Sequence, residues 1–148
     1  MLVLIVIIFM FFLDNKKSEI TLNYNNLSLI ILCLIGILVF ITSNNLFVLY
    51  LGIELQSLAL YTLCCLKRYS NKSLEAGFKY FLYGSFSSVI LLFGLSLIYG
   101  SLGSLNLKEV HLLITIINYD SINCMILQVG LLCLLVGFLF KLAIFPFH

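Results

Sequence analysis

The sequence predicts an all-α, polytopic bundle of transmembrane helices, and three observations predict it. Of the 148 residues, 63% are hydrophobic and 9% charged, against roughly 45–50% and 25% in ordinary soluble domains. Mean hydropathy is +1.20, with one proline and no tryptophan. The apolar residues also come in uncharged runs of about a bilayer's length. Such runs are too continuous for alternating barrel strands, so helices must satisfy the backbone in lipid. This composition excludes a soluble enzyme domain, a disordered tail and a nucleic-acid binder, which needs more than the eight Lys and Arg present.

Met1 to Leu13 is apolar and is followed directly by Asp14, Lys16 and Lys17. Without a basic n-region or an A-x-A cleavage site it reads as a short membrane span rather than a signal peptide. Between Glu19 and Glu54 lie 34 uncharged residues. That is too many for one span, because about 20 residues at about 1.5 Å each cross the roughly 30 Å hydrocarbon core. Ser43, Asn44 and Asn45 divide this stretch into a helix over 27–42 and another over 46–66, which ends at Lys67 and Arg68. After polar Lys72 and Ser73 a helix is expected over 76–100, closing at Gly100, Ser101 and Gly103. The last is expected over 122–145, uncharged to Phe140 and then meeting Lys141 and Pro146. Helices over 1–13, 27–42, 46–66, 76–100 and 122–145 thus make one transmembrane domain. Between the last two, Glu109 reads as an interfacial or first-turn carboxylate and His111 as a solvated loop residue; Glu75 reads like Glu109.

Alternating connections put Lys16, Lys17, Lys67, Arg68 and Lys72 on one side and Lys108 on the other. The positive-inside rule makes the first side the matrix or cytoplasm. The five cysteines, Cys33, Cys64, Cys65, Cys124 and Cys133, form no CxxC. An odd count without that spacing suggests neither a disulfide framework nor a metal or iron-sulfur site, and they read as small apolar core residues.

Two charges sit where charges are expensive. Glu54 falls about eight residues into its helix, near the bilayer centre, where an ionised carboxylate costs a few kcal/mol. At about 100° per residue, Tyr50, Ser57 and Tyr61 share its face, whereas Gln56 points away. Such a file of donor-acceptor groups suits a buried water chain that moves protons. The structural alternative is a neutral carboxylic acid hydrogen-bonded to a neighbouring helix. Lys141 lies deep in the last helix on a stripe with Gly130, Leu134 and Gly137, whose glycines admit a close neighbour. Pro146 should kink or break the helix just beyond it. A broken helix beside a charge is a recurrent transporter ion site; a lysine merely at the membrane edge would weaken that reading.

Lys79 stands one turn into its helix, where snorkelling competes with function. Gly84, Ser85 and Ser88 follow as a small polar surface for helix contact. His148 could extend a proton path, since imidazole titrates nearest neutrality, or could be a frayed end.

The segments LYLGIELQSLALY (Leu49 to Tyr61), EAGFKYFLYGSFSSVILLFGLSLIYGSLG (Glu75 to Gly103) and GFLFKLAIFPFH (Gly137 to His148) closely resemble subunit 2 of respiratory complex I. This is the NADH:ubiquinone oxidoreductase subunit whose bacterial counterpart is the N subunit. The match covers most of Leu46 to His148 with three motifs in the family's order; Met1 to Ser43 is not diagnostic. The resemblance implies an antiporter-like, proton-translocating membrane-arm subunit built from inverted repeats with broken helices. It implies that Glu54 is the family's buried glutamate, Lys141 the lysine beside its first broken helix, Lys79 the lysine opening the intervening helix, and His148 the histidine closing the PFH motif. The family's chain starts earlier and continues well beyond that motif. A split subunit is therefore expected, with a companion chain supplying the C-terminal part, rather than a truncated copy.

The expected mechanism is a switchable Glu54–Lys141 pair. Burial lowers a lysine's value from about 10.4 and a nearby carboxylate raises it, so their separation controls proton uptake and release. No flavin, iron-sulfur or nicotinamide motif is present, so NADH, FMN, iron-sulfur clusters and ubiquinone are expected elsewhere in the complex. Expected partners are other membrane-arm subunits and membrane lipids, with no nucleic acid. With three Ala and one Arg, the composition fits an AT-rich genome and hence a mitochondrial inner membrane, the alternatives being a bacterial inner membrane or a thylakoid. Rival readings are a cation/proton antiporter subunit and a non-pumping scaffold fragment.

Overall fold

Polar caps set where the helices begin and end. The computed structural model describes residues 24–66, 70–116 and 122–144. They form α1 (Tyr24–Thr42), α2 (Leu46–Cys64), α3 (Asn71–Leu102), α4 (Leu107–Ile116) and α5 (Ile122–Lys141). Asn45 caps α2, its side chain accepting the Phe47 N–H at 2.9 Å. Ser70 caps α3 by accepting the Ser73 N–H at 3.3 Å. The polar stretch from Asn71 to Glu75, expected to precede the third span, is thus its first turn. At the other end Gly103, in the left-handed region at φ 76°, closes α3 through an N–H bond to the Tyr99 carbonyl.

Among the described residues, α2, α3 and α5 are long and apolar enough to cross a membrane; the apolar part of α1, Leu27–Thr42, is shorter. The expected span Met1–Leu13 lies outside the described residues, as do Pro146 and His148. α4 corrects the reading of its stretch as a connection, and places His111 on a helix rather than in a loop. At ten residues it is about 15 Å long and cannot cross. It starts at Asn106, whose carbonyl accepts the Val110 N–H at 2.8 Å and whose side-chain amide donates to Glu109 Oε1 at 3.4 Å.

α5 stops at Lys141, four residues short of the expected Phe145. Its end is a Schellman motif, with Ile144 N–H bonded to the Leu139 carbonyl and Ala143 N–H to the Phe140 carbonyl. Ala143 takes the left-handed position, φ 50°, that glycine usually fills. The helix therefore ends through its own backbone turn, before Pro146 is reached.

α3 is the spine: α2 packs on it from one side and α5 from another, while α1 pairs with α2. The core is Leu91, Leu95 and Ile98 of α3 against Leu127 and Leu134 of α5. Backbones touch at two glycine pairs. A Cβ at Gly52 would lie 2.7 Å from the Phe40 nitrogen of α1, and one at Gly94 2.9 Å from the Gly130 carbonyl of α5. In lipid, where association relies on packing, such approach holds helices together. The turns at one end are joined by a two-stranded bridge: Leu46 N–H to the Leu105 carbonyl at 2.9 Å and Leu107 N–H to the Asn44 carbonyl at 3.0 Å. At the other end the Ser73 hydroxyl donates to the Cys64 carbonyl at 2.7 Å. Gly52→Val should force α1 from α2 and lower stability by about 1–3 kcal/mol, read as a lower midpoint in thermal denaturation of the detergent-extracted assembly. An unchanged midpoint would show that the two helices separate freely.

Candidate functional site: an ion pair between two helices

Helical periodicity places Tyr50, Glu54, Ser57 and Tyr61 on one stripe of α2, and the fold turns that stripe inward. Ser57 and Tyr61 are each 6% exposed. A Cβ on Gly84 of α3 would overlap the Tyr61 hydroxyl, so the absent side chain is the notch that seats it. The Tyr61 ring meets Tyr80 edge-on at 4.7 Å. One turn from Gly84, Ser88 lies near Tyr50, and Ser57 lies near Tyr61. Ser87 and Ser88 are buried and donate their hydroxyl protons to the carbonyls of Gly84 and Ser85.

Lys141, the last residue of α5, points into this stripe. Its Nζ donates to Glu54 Oε1 at 2.7 Å and to Ser57 Oγ at 3.3 Å. The two charged side chains are 14% and 20% exposed. Position in the helix helps the ammonium, since the carbonyl end of a helix favours a cation by typically about 0.3–1 kcal/mol. Depth follows from α3. Phe140, beside Lys141, packs 6.1 Å from Phe86, the middle residue of that 32-residue helix. The pair therefore lies level with the middle of α3 and, in α2, at the ninth of 19 residues. There the attraction is weakly screened, and removing one partner would leave the other charge unpaired at a cost of about 3–5 kcal/mol.

The other residues singled out in the sequence lie apart from this pair. Lys79 pairs with Glu75 one turn earlier on α3, Nζ to Oε1 at 2.5 Å, with both side chains over 60% exposed in this chain. His148 lies outside the described residues. Gly84 and Ser88, expected as helix-contact residues, prove to be the seats of the two tyrosines. Ser87 is a buried hydroxyl that the sequence does not mark; it adjoins Ser88, and spacing alone does not separate it from a lipid-facing serine. Among the described residues no disulfide joins the five cysteines.

Comparison with known proteins places the chain in a family. Residues 43–148 match the family model described as NADH:quinone oxidoreductase/Mrp antiporter, transmembrane. The chain is 37% identical over 147 residues to NADH-quinone oxidoreductase subunit N of Francisella tularensis, covering 99% of this chain and 30% of that protein. It is 42% identical over 141 residues to NADH-ubiquinone oxidoreductase chain 2 of Marchantia polymorpha, covering 92% and 28%. The chain thus spans less than a third of the length of these curated relatives. Among solved structures it superposes on the membrane-bound sulfane sulfur reductase, an archaeal respiratory membrane complex, with TM-score 0.79, 27% identity and coverage of 90% and 26%. On respiratory complex I from Thermus thermophilus it reaches TM-score 0.68 at 28% identity, covering 85% and 26%. With most of its length matched by the family model and its helices arranged as in these membrane complexes, the chain belongs to the NADH:quinone oxidoreductase/Mrp antiporter transmembrane family.

Proposed function

We propose that the chain is part of a proton-translocating membrane-arm subunit of an NADH:quinone oxidoreductase, and that Glu54 and Lys141 are its proton-handling pair. The observation that carries this reading is the 2.7 Å contact between an ammonium and a carboxylate inside an apolar helix bundle, supplied by two residues 87 apart in sequence. A pair so placed is a costly way to hold helices together, since apolar residues of similar volume would serve as well or better. As a switch it has a use. With Glu54 ionised and close, Lys141 keeps its proton; protonating the carboxylate or carrying it away lowers the lysine's affinity, and the proton leaves.

Names of the relatives support the rest. Those cited at 37% and 42% identity are subunit N and chain 2 of NADH-quinone and NADH-ubiquinone oxidoreductases. On this reading NADH, FMN, iron-sulfur clusters and ubiquinone react in other subunits, whose chemistry drives the separation of the two charges. Lys79 would exchange protons at the entrance and His148 would carry them onward from Lys141. The remaining length of the relatives would come from a companion chain, and the membrane would be the mitochondrial inner membrane. A second reading, a membrane-arm subunit of another respiratory or antiporter complex, is favoured by the superposition on the sulfane sulfur reductase complex at TM-score 0.79. It would show Na⁺-dependent proton flux without NADH.

Lys141→Met should impair NADH-driven proton pumping, followed by the quench of a pH-sensitive dye in membrane vesicles, while native gels show the complex assembled; unchanged pumping would sink the pair mechanism. Glu54→Gln and Lys141→Met, made singly and together, should reveal a coupling of about 1–3 kcal/mol in resistance to heat inactivation. If the double variant pumps normally, the charges serve only as a scaffold.

A further inference from the structure

Ser57 is the third member of the ion-pair site, and its geometry is one-sided. Its hydroxyl donates to the Glu54 main-chain carbonyl at 3.0 Å and accepts a hydrogen bond from Lys141 Nζ at 3.3 Å. A hydroxyl has one proton and two lone pairs. Because that proton is committed to the backbone of its own helix, the oxygen presents only lone pairs to Lys141. Such an oriented acceptor attracts an ammonium, which has protons to give, and repels the lone pair of a neutral amine. Being 6% exposed, it has little water to compete with it.

Glu54 and Ser57 thus hold the lysine in different ways. The carboxylate can be neutralised or displaced on its own flexible stem. The serine oxygen is fixed to the helix by the bond to the Glu54 carbonyl and does not change charge. We propose that Ser57 is a positioning residue for proton transfer: it holds the Lys141 ammonium in place while the Glu54 carboxylate is protonated or withdrawn, and thereby sets how readily Lys141 gives up its proton. This rests on the proton-translocation reading above.

The titratable surroundings of Lys141 are few. α2 supplies Glu54 with Tyr50 and Tyr61 on the same stripe. α3 supplies the Ser87 and Ser88 hydroxyls, and Tyr80 against Tyr61, while its Glu75–Lys79 pair is exposed and bonded within itself. α5 brings no other charged side chain, and its thiols Cys124 and Cys133 lie two or more turns back. Ser57 is therefore the one neutral acceptor among the described residues that is hydrogen-bonded to the ammonium. Removing it lowers the affinity of Lys141 for its proton and moves the alkaline limb of a pumping profile to lower pH.

The test is the pH profile of NADH-driven proton pumping by vesicles carrying the intact complex, with Ser57→Ala, Ser57→Cys, Ser57→Thr and Lys141→Met. Ser57→Ala should shift the alkaline limb by about one pH unit toward acid, the worth of one hydrogen bond to a charged group. Ser57→Cys, nearly isosteric but a weak acceptor, should do the same, and Ser57→Thr should restore the limb. A Ser57→Ala profile with an unmoved limb, at any amplitude, overturns the proposal, as does a limb that threonine does not restore. Should Ser57→Ala fail to assemble, the Ser57→Cys limb decides by the same criterion. Failure of both to assemble overturns it too, because the hydroxyl is then a folding element. Lys141→Met separates the two levels: normal pumping there removes the translocation reading itself, whereas impaired pumping with an unmoved Ser57→Ala limb removes only the assignment to Ser57.

Discussion

One constraint runs through this fold: an ammonium and a carboxylate inside an apolar bundle must each have the other as partner. Lys141 and Glu54 come from helices far apart in sequence and meet near the middle of α3. A charge at that depth is tolerable only with its partner in place, so the surrounding contacts read as conditions for the pair to exist. α5 must end there to deliver a lysine together with its own carbonyl terminus. α2 must turn its polar stripe toward α3, and α3 must yield space for the tyrosines that flank the carboxylate. Gly84 and Ser88 are those concessions, small residues opposite large phenols.

The same logic explains why α3 runs past the pair while α5 ends at it. α3 carries the apolar core of Leu91, Leu95 and Ile98 on the outer side of the pair and the Tyr61 notch on the other. α5 covers only the first of these. Its end at Ala143 in the left-handed region carries a conformational cost of about 1–2 kcal/mol for a non-glycine residue. A backbone strained beside a charged site is a familiar association at functional positions.

Much of this is legible in the sequence, and the failures have identifiable causes. Hydropathy finds the apolar bodies of α1, α2, α3 and α5, because uncharged runs of bilayer length are rare outside membrane spans. It misplaces the start of α3 because the cap at Ser70 and the polar first turn carry no apolar signal. It overlooks α4, although Asn106 and Glu109 stand at capping-box spacing, because ten residues interspersed with Lys108, Glu109 and His111 look like a connection. Glu54 and Lys141 each stand out as a misplaced charge, and the stripe of Tyr50, Ser57 and Tyr61 follows from 3.6-residue periodicity. Their pairing, expected once the family resemblance is drawn, does not follow from periodicity, since nothing local says which helices are neighbours. Lys79 shows the converse: a lysine in a suggestive motif whose partner is Glu75, four residues earlier on its own helix.

The fastenings at the two ends of α2 and α3 divide the molecule mechanically. The Asn44–Leu107 and Leu46–Leu105 bonds lock one end, and the Ser73–Cys64 bond locks the other. Glu54 thus rides on a frame riveted top and bottom. Lys141 stands on the last turn of α5, which Gly130 and Gly137 seat closely against α3. With the backbone clamped, the side chains are the moving parts: the gap between the two charges opens first by swinging the Glu54 carboxylate on its own stem, and the riveted helices are the stator.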